Sequence, residues 1–211
     1  VFNSSGAYLR SFGGYGTGCN QWQYARQFTI YNDRIYLADT YGHKIKALSL
    51  TGQCLWQAGS YNTYPTALAV NSDNIYIGFP NSGLAVMKYY SNRGSVNKMA
   101  YYSNINYAWG MAFNSAGNKL AIASYNNNRI IEYSVNDLII TYNQQSVSSS
   151  SSSSNGYFRS PTDVSYDSSG NIYVSDLYNH RIQKLNSSLV YQAKTGSYST
   201  SSGFRYPYGM H

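Results

Sequence analysis

The chain has 211 residues, of which 43% are apolar and 11% are charged, and its net charge is +7. This length and apolar content fit one globular domain and exclude a disordered chain. The basic residues are spread thinly, so nucleic acid is not an expected partner, and no apolar stretch approaches the ~20 residues of a membrane span. Tyrosine occurs 25 times and glutamate once, a composition that favours β-structure over helix.

Four segments, taken in chain order, repeat a pattern of an alternating apolar strand, a polar turn and a second alternating strand. They read RIYLADTYGHKIKAL (34–48), NIYIGFPNSGLAVMK (74–88), NKLAIASYNNNRIIEY (118–133) and NIYVSDLYNHRIQKL (171–185). Because the apolar residues alternate with period 2, we expect half-buried strands rather than helices.

Each of these hairpins is flanked by two further predicted strands. The upstream strands are 27–32, 66–71, 109–114 and 162–167, and the downstream strands are 53–59, 97–103, 137–143 and 188–194. Four strands in a repeat of about 46 residues are the sequence signature of a β-propeller blade. The predicted fold class is therefore all-β: a propeller of four-stranded antiparallel blades, with four full blades and partial blades at both termini.

Two of the hairpins, DRIYLADTYGHKIKAL and GNIYVSDLYNHRIQKL, resemble the NHL repeat, which is named after an Asn-His-Leu triplet. The second and third repeats depart from that pattern, because Gly78 and Ser124 stand where the others carry Asp39 and Asp176. The resemblance implies a propeller fold. It implies little about activity, since one fold hosts many functions.

We expect a single propeller domain over residues 1–211. Its predicted parts are the outer strands of a closing blade, four full blades and the start of a further blade, at 1–13, 24–63, 64–106, 107–159, 160–202 and 203–211. The partial blades have two explanations. Either the chain is a segment of a longer protein, or another copy supplies the missing strands, and head-to-tail strand addition would then build a filament.

Three polar residues recur in the first and fourth hairpins: Asp39, His43 and Lys44, then Asp176, His180 and Arg181. Equivalent positions of different blades lie apart around the ring, so the two histidines cannot meet at one metal ion. A third histidine, His211, stands alone. We therefore expect this motif to be structural, with the histidine and the adjacent Lys44 or Arg181 bonding the aspartate or a backbone carbonyl across the hairpin turn or the blade boundary.

Tyrosines recur just before the predicted inner strands, near the mouth of the central channel, and some have an Arg, Trp or Tyr two positions on. The residues concerned are Tyr24, Tyr64, Tyr107 and Tyr206, with Arg26, Trp109 and Tyr208. These residue types most often carry interface energy, so this face is predicted to bind a protein or glycan partner. The alternative is that the tyrosines pack between blades.

No catalytic residue, metal site or cofactor is expected. Amidating lyases and lactonases, propeller enzymes that resemble this family, hold zinc with histidines or calcium with acidic residues at the channel. Here the corresponding entry positions are Arg26, Thr66, Trp109, Thr162 and Tyr208, and Asp163 is the only acid beside them. An enzyme with a metal site at the channel mouth is nevertheless the first alternative function. Binding of single-stranded RNA, as in some NHL proteins, is the second.

Three further features bear on localisation. Cys19 and Cys54 are compatible with a disulfide or with two free thiols. The Asn-X-Ser sequons at Asn3 and Asn186 fall at the same point of the repeat and predict glycosylation if the chain is secreted. Residues 148–154 are all serine and predict a flexible insert.

We expect an extracellular or cell-surface, non-enzymatic interaction or scaffold propeller, whose incomplete terminal blade offers a route to self-assembly.

Overall fold

The computed structural model describes residues 1–59, 64–72, 74–80, 83–89, 96–102, 105–136, 139–145, 151–198 and 203–210. Within these ranges, sixteen strands form four separate antiparallel sheets of four strands each. In every sheet, strands that follow one another in the chain are neighbours, so each sheet is a meander of hairpins. The predicted all-β fold with four full four-stranded blades is confirmed.

The strands of the four blades have the following bounds. Blade 1 contains β1 Ala25–Tyr31, β2 Arg34–Asp39, β3 Lys44–Ser49 and β4 Cys54–Ala58. Blade 2 contains β5 Ala67–Asn71, β6 Asn74–Phe79, β7 Gly83–Tyr89 and β8 Val96–Tyr102. Blade 3 contains β9 Ala108–Phe113, β10 Lys119–Ser124, β11 Arg129–Asn136 and β12 Ile139–Gln145. Blade 4 contains β13 Pro161–Tyr166, β14 Ile172–Asp176, β15 Arg181–Leu185 and β16 Tyr191–Thr195.

The first strand of each blade faces the centre of the molecule. Strand β1 lies beside β5, β5 beside β9, and β9 beside β13, so these inner strands line a common channel. The ends of the predicted blade ranges at residues 63, 202 and 211 lie outside the described residues.

The hydrophobic core consists of three clusters, one between each pair of successive blades. In β6, Ile75 and Ile77 pack towards blade 1, whereas Tyr76 between them packs towards blade 3. The second strands of blades 2 and 3 are therefore buried on both faces. The expectation of half-buried strands is wrong for them, because each has a neighbouring blade on both sides. It is also wrong for the last four residues of β2 in blade 1, which are all buried.

The N-terminal residues contact blade 1, where the Arg10 guanidinium donates to the carbonyl oxygen of Leu50 at 3.0 Å. Phe2 and Tyr8 form an antiparallel bridge around a turn at Asn3, where the side-chain Oδ1 accepts the backbone N–H groups of Ser5 and Ala7. Asn186 accepts N–H groups in the same way in the turn between β15 and β16, so the two sequons occupy equivalent turns. Their Oδ1 atoms stabilise the turns.

A disulfide and a buried amine attach the segment that leads into blade 1. Cys19 is bonded to Cys54 of β4, with the two Cα atoms 5.5 Å apart. The Lys46 amine on β3 is fully buried and donates to the carbonyl oxygens of Gly18 and Gln21. Together these bonds fix the entry to β1.

Candidate binding face at the channel mouth

The aspartate at the end of the second strand anchors the loop that leads into its own blade. Asp39 Oδ1 accepts the backbone N–H groups of Gln23 and Tyr24 at 2.9 and 3.1 Å. Asp176 Oδ1 accepts that of Arg159 at 2.7 Å. In blade 3, Ser124 Oγ does the same for Asn106. This repeated residue therefore sets where each chain segment enters the channel mouth.

The cation paired with the aspartate differs between blades 1 and 4. Arg181 Nε lies 2.8 Å from Asp176 Oδ2, as expected. In blade 1, Lys46 and not Lys44 pairs with Asp39, at 2.9 Å. Lys46 is the partner because it lies two residues further along the same face of β3 and its amine is held there by the carbonyls of the entry loop.

Arg181 also organises the end of the serine run. Its guanidinium donates to the carbonyl oxygens of Ser153, Ser154 and Tyr157 at 2.7 to 2.9 Å. Asn179 donates to that of Ser152. Residues 152–154 are thus held in place, contrary to the expected flexible insert, whereas residues 148–150 lie outside the described part of the chain.

Burial and hydrogen bonding shift the two aspartate pKa values in opposite directions. Burial raises the pKa of Asp39, but the bond from Lys46 and the N–H groups of Tyr24 and Gln23 outweigh it, so the pKa lies below its ordinary value. For Asp176, burial outweighs the bonds from Arg159, Asn179 and Arg181 and raises the pKa. Both carboxylates serve the fold, because their donors are backbone or hairpin groups.

The two repeated histidines occupy turns and contact tyrosines. His43 and His180 have φ values of 55° and 54°, and Asn128 at the equivalent position of blade 3 has 53°. The His43 ring lies 4.6 Å from that of Tyr64, and the His180 ring lies 4.7 Å from that of Tyr206. Each histidine therefore packs on the tyrosine that precedes the next inner strand.

Close approach of two strands explains why blade 2 lacks the aspartate. A Cβ atom on Gly78 would lie 2.4 Å from the Cβ of Ala108 on β9. A side chain cannot fit there. The entry to blade 2 is fixed instead by Thr66, whose Oγ1 donates to the carbonyl oxygen of Ala108 at 2.6 Å.

Arg26 on β1 reaches across the channel mouth to blade 3. Its Cζ atom lies 3.5 Å from the centroid of the Trp109 ring, and its Nη1 donates to the Tyr107 hydroxyl at 3.0 Å. Trp109 stacks in turn on Tyr107 and Tyr125, with ring centroids 5.1 and 4.4 Å away. Residues 81 positions apart thus form one cation–π cluster.

The other predicted face residues surround this cluster and are substantially exposed. Tyr24, Tyr64, Tyr206 and Tyr208 have 50%, 46%, 40% and 59% of their surface exposed. Tyr208 lies 6.3 Å from Trp109, ring to ring. Tyr64 and Tyr206 also pack against the preceding hairpin turns. The structure therefore places all seven predicted residues on one face, here called the channel-mouth face, and two of its tyrosines also pack between blades.

Sequence reasoning missed three tyrosines of this face: Tyr41, Tyr125 and Tyr178. Tyr41 contacts both Tyr24 and Tyr64, and the Tyr125 and Tyr178 hydroxyls lie 3.4 Å apart. Tyr41 and Tyr178 follow the repeated aspartates by two residues, a spacing that could have identified them.

A cleft of about 240 Å³ opens beside the Arg26 cluster. Residues from blades 1, 3 and 4 and from the C-terminal segment line it, among them Tyr24, Arg26, Trp109, Asp163 and Tyr208. The Asp163 oxygens accept the N–H groups of Val164 and Met210 at 2.9 and 2.7 Å. The cleft thus has a guanidinium and a carboxylate among aromatic walls.

Neither a metal-ligand cluster nor a membrane-spanning helix occurs in the described part of the chain. No three His, Cys, Asp or Glu side chains within those ranges converge as a metal site would require, and His211 lies outside them. No helix within them has the length and apolar character needed to cross a bilayer.

Comparisons with known proteins agree with this architecture. The NHL repeat family model matches residues 158–185, which include β13 to β15. No curated protein matches the chain. A solved structure of a luciferin-regenerating enzyme superposes with a TM-score of 0.58 at 16% sequence identity, covering 81% of this chain and 61% of that one. At this identity the likeness shows the fold alone, and the chain spans less than two thirds of that structure's length. The chain therefore carries an NHL repeat in its fourth blade and has the fold of a β-propeller.

Proposed function

We propose that this propeller is a non-enzymatic recognition or scaffold module that binds a protein or glycan partner through the channel-mouth face. The observation that carries the proposal is the Arg26–Trp109 cluster, which holds an arginine and stacked aromatic rings beside a cleft. Arginine, tryptophan and tyrosine are the residues most enriched where binding energy concentrates.

The proposed location is outside the cell or at its surface. Two features support it: the disulfide between Cys19 and Cys54, a bond that persists in oxidising compartments, and the sequons at Asn3 and Asn186. Expression in a secretory host, followed by mass measurement before and after enzymatic deglycosylation, tests this. An unchanged mass would count against glycosylation at these two turns.

Self-assembly is a second part of the proposal. Association through the incomplete terminal blade would build a filament, and Ile30 on β1 marks a surface that such contact would cover. It has 58% of its surface exposed, whereas apolar side chains on an inner strand normally pack against a neighbouring blade. Sedimentation velocity over a range of concentrations should show association, and Ile30→Asn should weaken it; a monomer at every concentration would contradict this part.

The recognition proposal is tested with an immobilised panel of peptides and glycans. The wild type should bind a subset of the panel, and Trp109→Leu should lose that binding while its circular dichroism spectrum stays unchanged. Leu55→Ala, which alters an exposed residue of the outer strand β4, is the matched control and should bind normally. Stoichiometric zinc or calcium in the purified protein, together with turnover of a substrate, would favour the enzyme alternative instead.

A further inference from the structure

The Arg26 guanidinium is held in place but is not neutralised. Its flat face is covered by Trp109, and one of its amino groups donates to Tyr107. Arginine has five N–H donors arranged in a planar fork. Among the described residues, Arg26 forms no ion pair with a carboxylate. A positioned guanidinium of this kind is suited to bind a carboxylate through two parallel hydrogen bonds.

The size of the cleft restricts the kind of ligand that can carry this carboxylate. Its volume of about 240 Å³ is below the range typical of sites for drug-sized ligands. Tyr24 and Tyr208 supply aromatic walls, which pack against a flat or ring-shaped body. A single ring with one acidic substituent fits this description.

The charges of the cleft give the ligand an orientation. Arg26 provides the positive charge, whereas Asp163, also in the lining, provides a negative one. A second anionic group near Asp163 would be repelled. The part of the ligand directed towards Asp163 is therefore uncharged and carries donors such as hydroxyl groups. The net charge of +7 also favours approach of an anionic partner.

We propose that the cleft binds one uronic acid residue of an acidic glycan, with its carboxylate on Arg26 and its hydroxyl groups towards Asp163. This inference rests on the proposed recognition function and specifies its ligand. It assigns Arg26 as the residue that distinguishes an acidic sugar from a neutral one.

The test is a calorimetric titration with glucuronate, with glucose as the neutral match and benzoate as a carboxylate without hydroxyl groups. Glucuronate should bind at least about tenfold more tightly than either, because one lacks the carboxylate and the other the hydroxyls. Equal affinity for glucose, or for benzoate, would overturn the proposal.

Variants of Arg26 provide the second arm. Arg26→Gln should weaken glucuronate binding about tenfold or more, and Arg26→Lys, which keeps the charge but not the fork, should weaken it less. Lys194→Gln removes one charge from the outer strand β16 and should change affinity less than about twofold. Unchanged binding by Arg26→Gln would contradict the assignment. If Arg26→Gln fails to fold, Arg26→Lys still tests the assignment. An Arg26→Lys variant that binds glucuronate as tightly as the wild type would show that the planar guanidinium is not needed.

The two proposals fail differently. If glucuronate does not bind but Trp109→Leu abolishes binding of another panel member, the uronic acid assignment is wrong and the recognition face stands. If no panel member binds, the recognition function itself fails.

Discussion

At the scale of single residues, the repeated polar motif of this chain serves the fold. Asp39 and Asp176 accept backbone N–H groups of the loops that enter their blades, and each is paired with a buried cation. A reactive cluster would instead direct these groups at a cleft. Arg26 and Trp109, which do line the cleft, occupy equivalent positions of their blades but are not part of this polar motif.

Breaking the buried ion pair of blade 4 should be costly. Arg181→Gln leaves the Asp176 carboxylate buried without its countercharge, so the free energy of unfolding at pH 7 should fall by about 3 kcal/mol. Asp167→Asn is the matched control, because Asp167 and Lys184 are 3.5 Å apart and about a third exposed, and it should cost less than about 1 kcal/mol. Urea denaturation of both variants measures the difference; equal losses would contradict the structural role of the Asp176–Arg181 pair.

Acid should weaken the anchor of blade 1. The pKa of Asp39 is below its ordinary value in the folded state, so its contribution to stability is complete above pH ~4 and is lost as the pH falls through the folded-state pKa. Asp39→Asn lacks this contribution. The difference in unfolding free energy between the wild type and Asp39→Asn should therefore be larger at pH 7 than at pH 2. A difference independent of pH would show that the Asp39 charge does not stabilise the fold.

At the scale of elements, the hairpin between the second and third strands needs a left-handed residue. Asn128 and His180 adopt φ values of 53° and 54° at equivalent positions, and asparagine adopts this conformation more readily than a β-branched residue. His180→Val should therefore destabilise the protein by about 1–2 kcal/mol more than His180→Asn. Thermal unfolding of the two variants tests this. Equal melting temperatures would mean that the turn conformation is not limiting.

The strands and their order could be predicted because alternation and repetition are local properties of the sequence. The roles of Gly78 and Lys46 could not be predicted in this way. From the sequence, Gly78 is simply a position where the repeated aspartate is missing. The structure shows that a side chain at this position would collide with the Cβ of Ala108 in the next blade. Lys46 replaces Lys44 as the partner of Asp39 because the carbonyls of Gly18 and Gln21 hold its amine. Both depend on segments distant in sequence.

In the candidate site, too, some features could be predicted from the sequence and others could not. The positions of Tyr24, Arg26 and Trp109 at the channel mouth follow from the repeat. The stacking of Arg26 on Trp109 does not, because it joins blades 1 and 3 across the channel. Whether two inner-strand residues meet depends on the radius of the ring, which a repeat pattern does not specify.

At the scale of the whole molecule, successive blades share their hydrophobic clusters and should unfold together. Leu120 is fully buried in the cluster between blades 2 and 3, so Leu120→Ala should cost about 2–5 kcal/mol and lower a single transition. Leu55→Ala, at a site with 46% exposure, should have little effect. Circular dichroism and tryptophan fluorescence should report the same midpoint; separate midpoints would show that the blades unfold independently.

If a partner is recognised on the channel-mouth face, its binding should protect that face from exchange with solvent. Hydrogen exchange of the protein, with and without the panel member that binds most tightly, tests this most directly. We expect slower exchange at residues 23–28, 107–109 and 206–210, with little change in the outer strands β4 and β16. Protection confined to the outer strands, with unchanged exchange at the channel mouth, would contradict it.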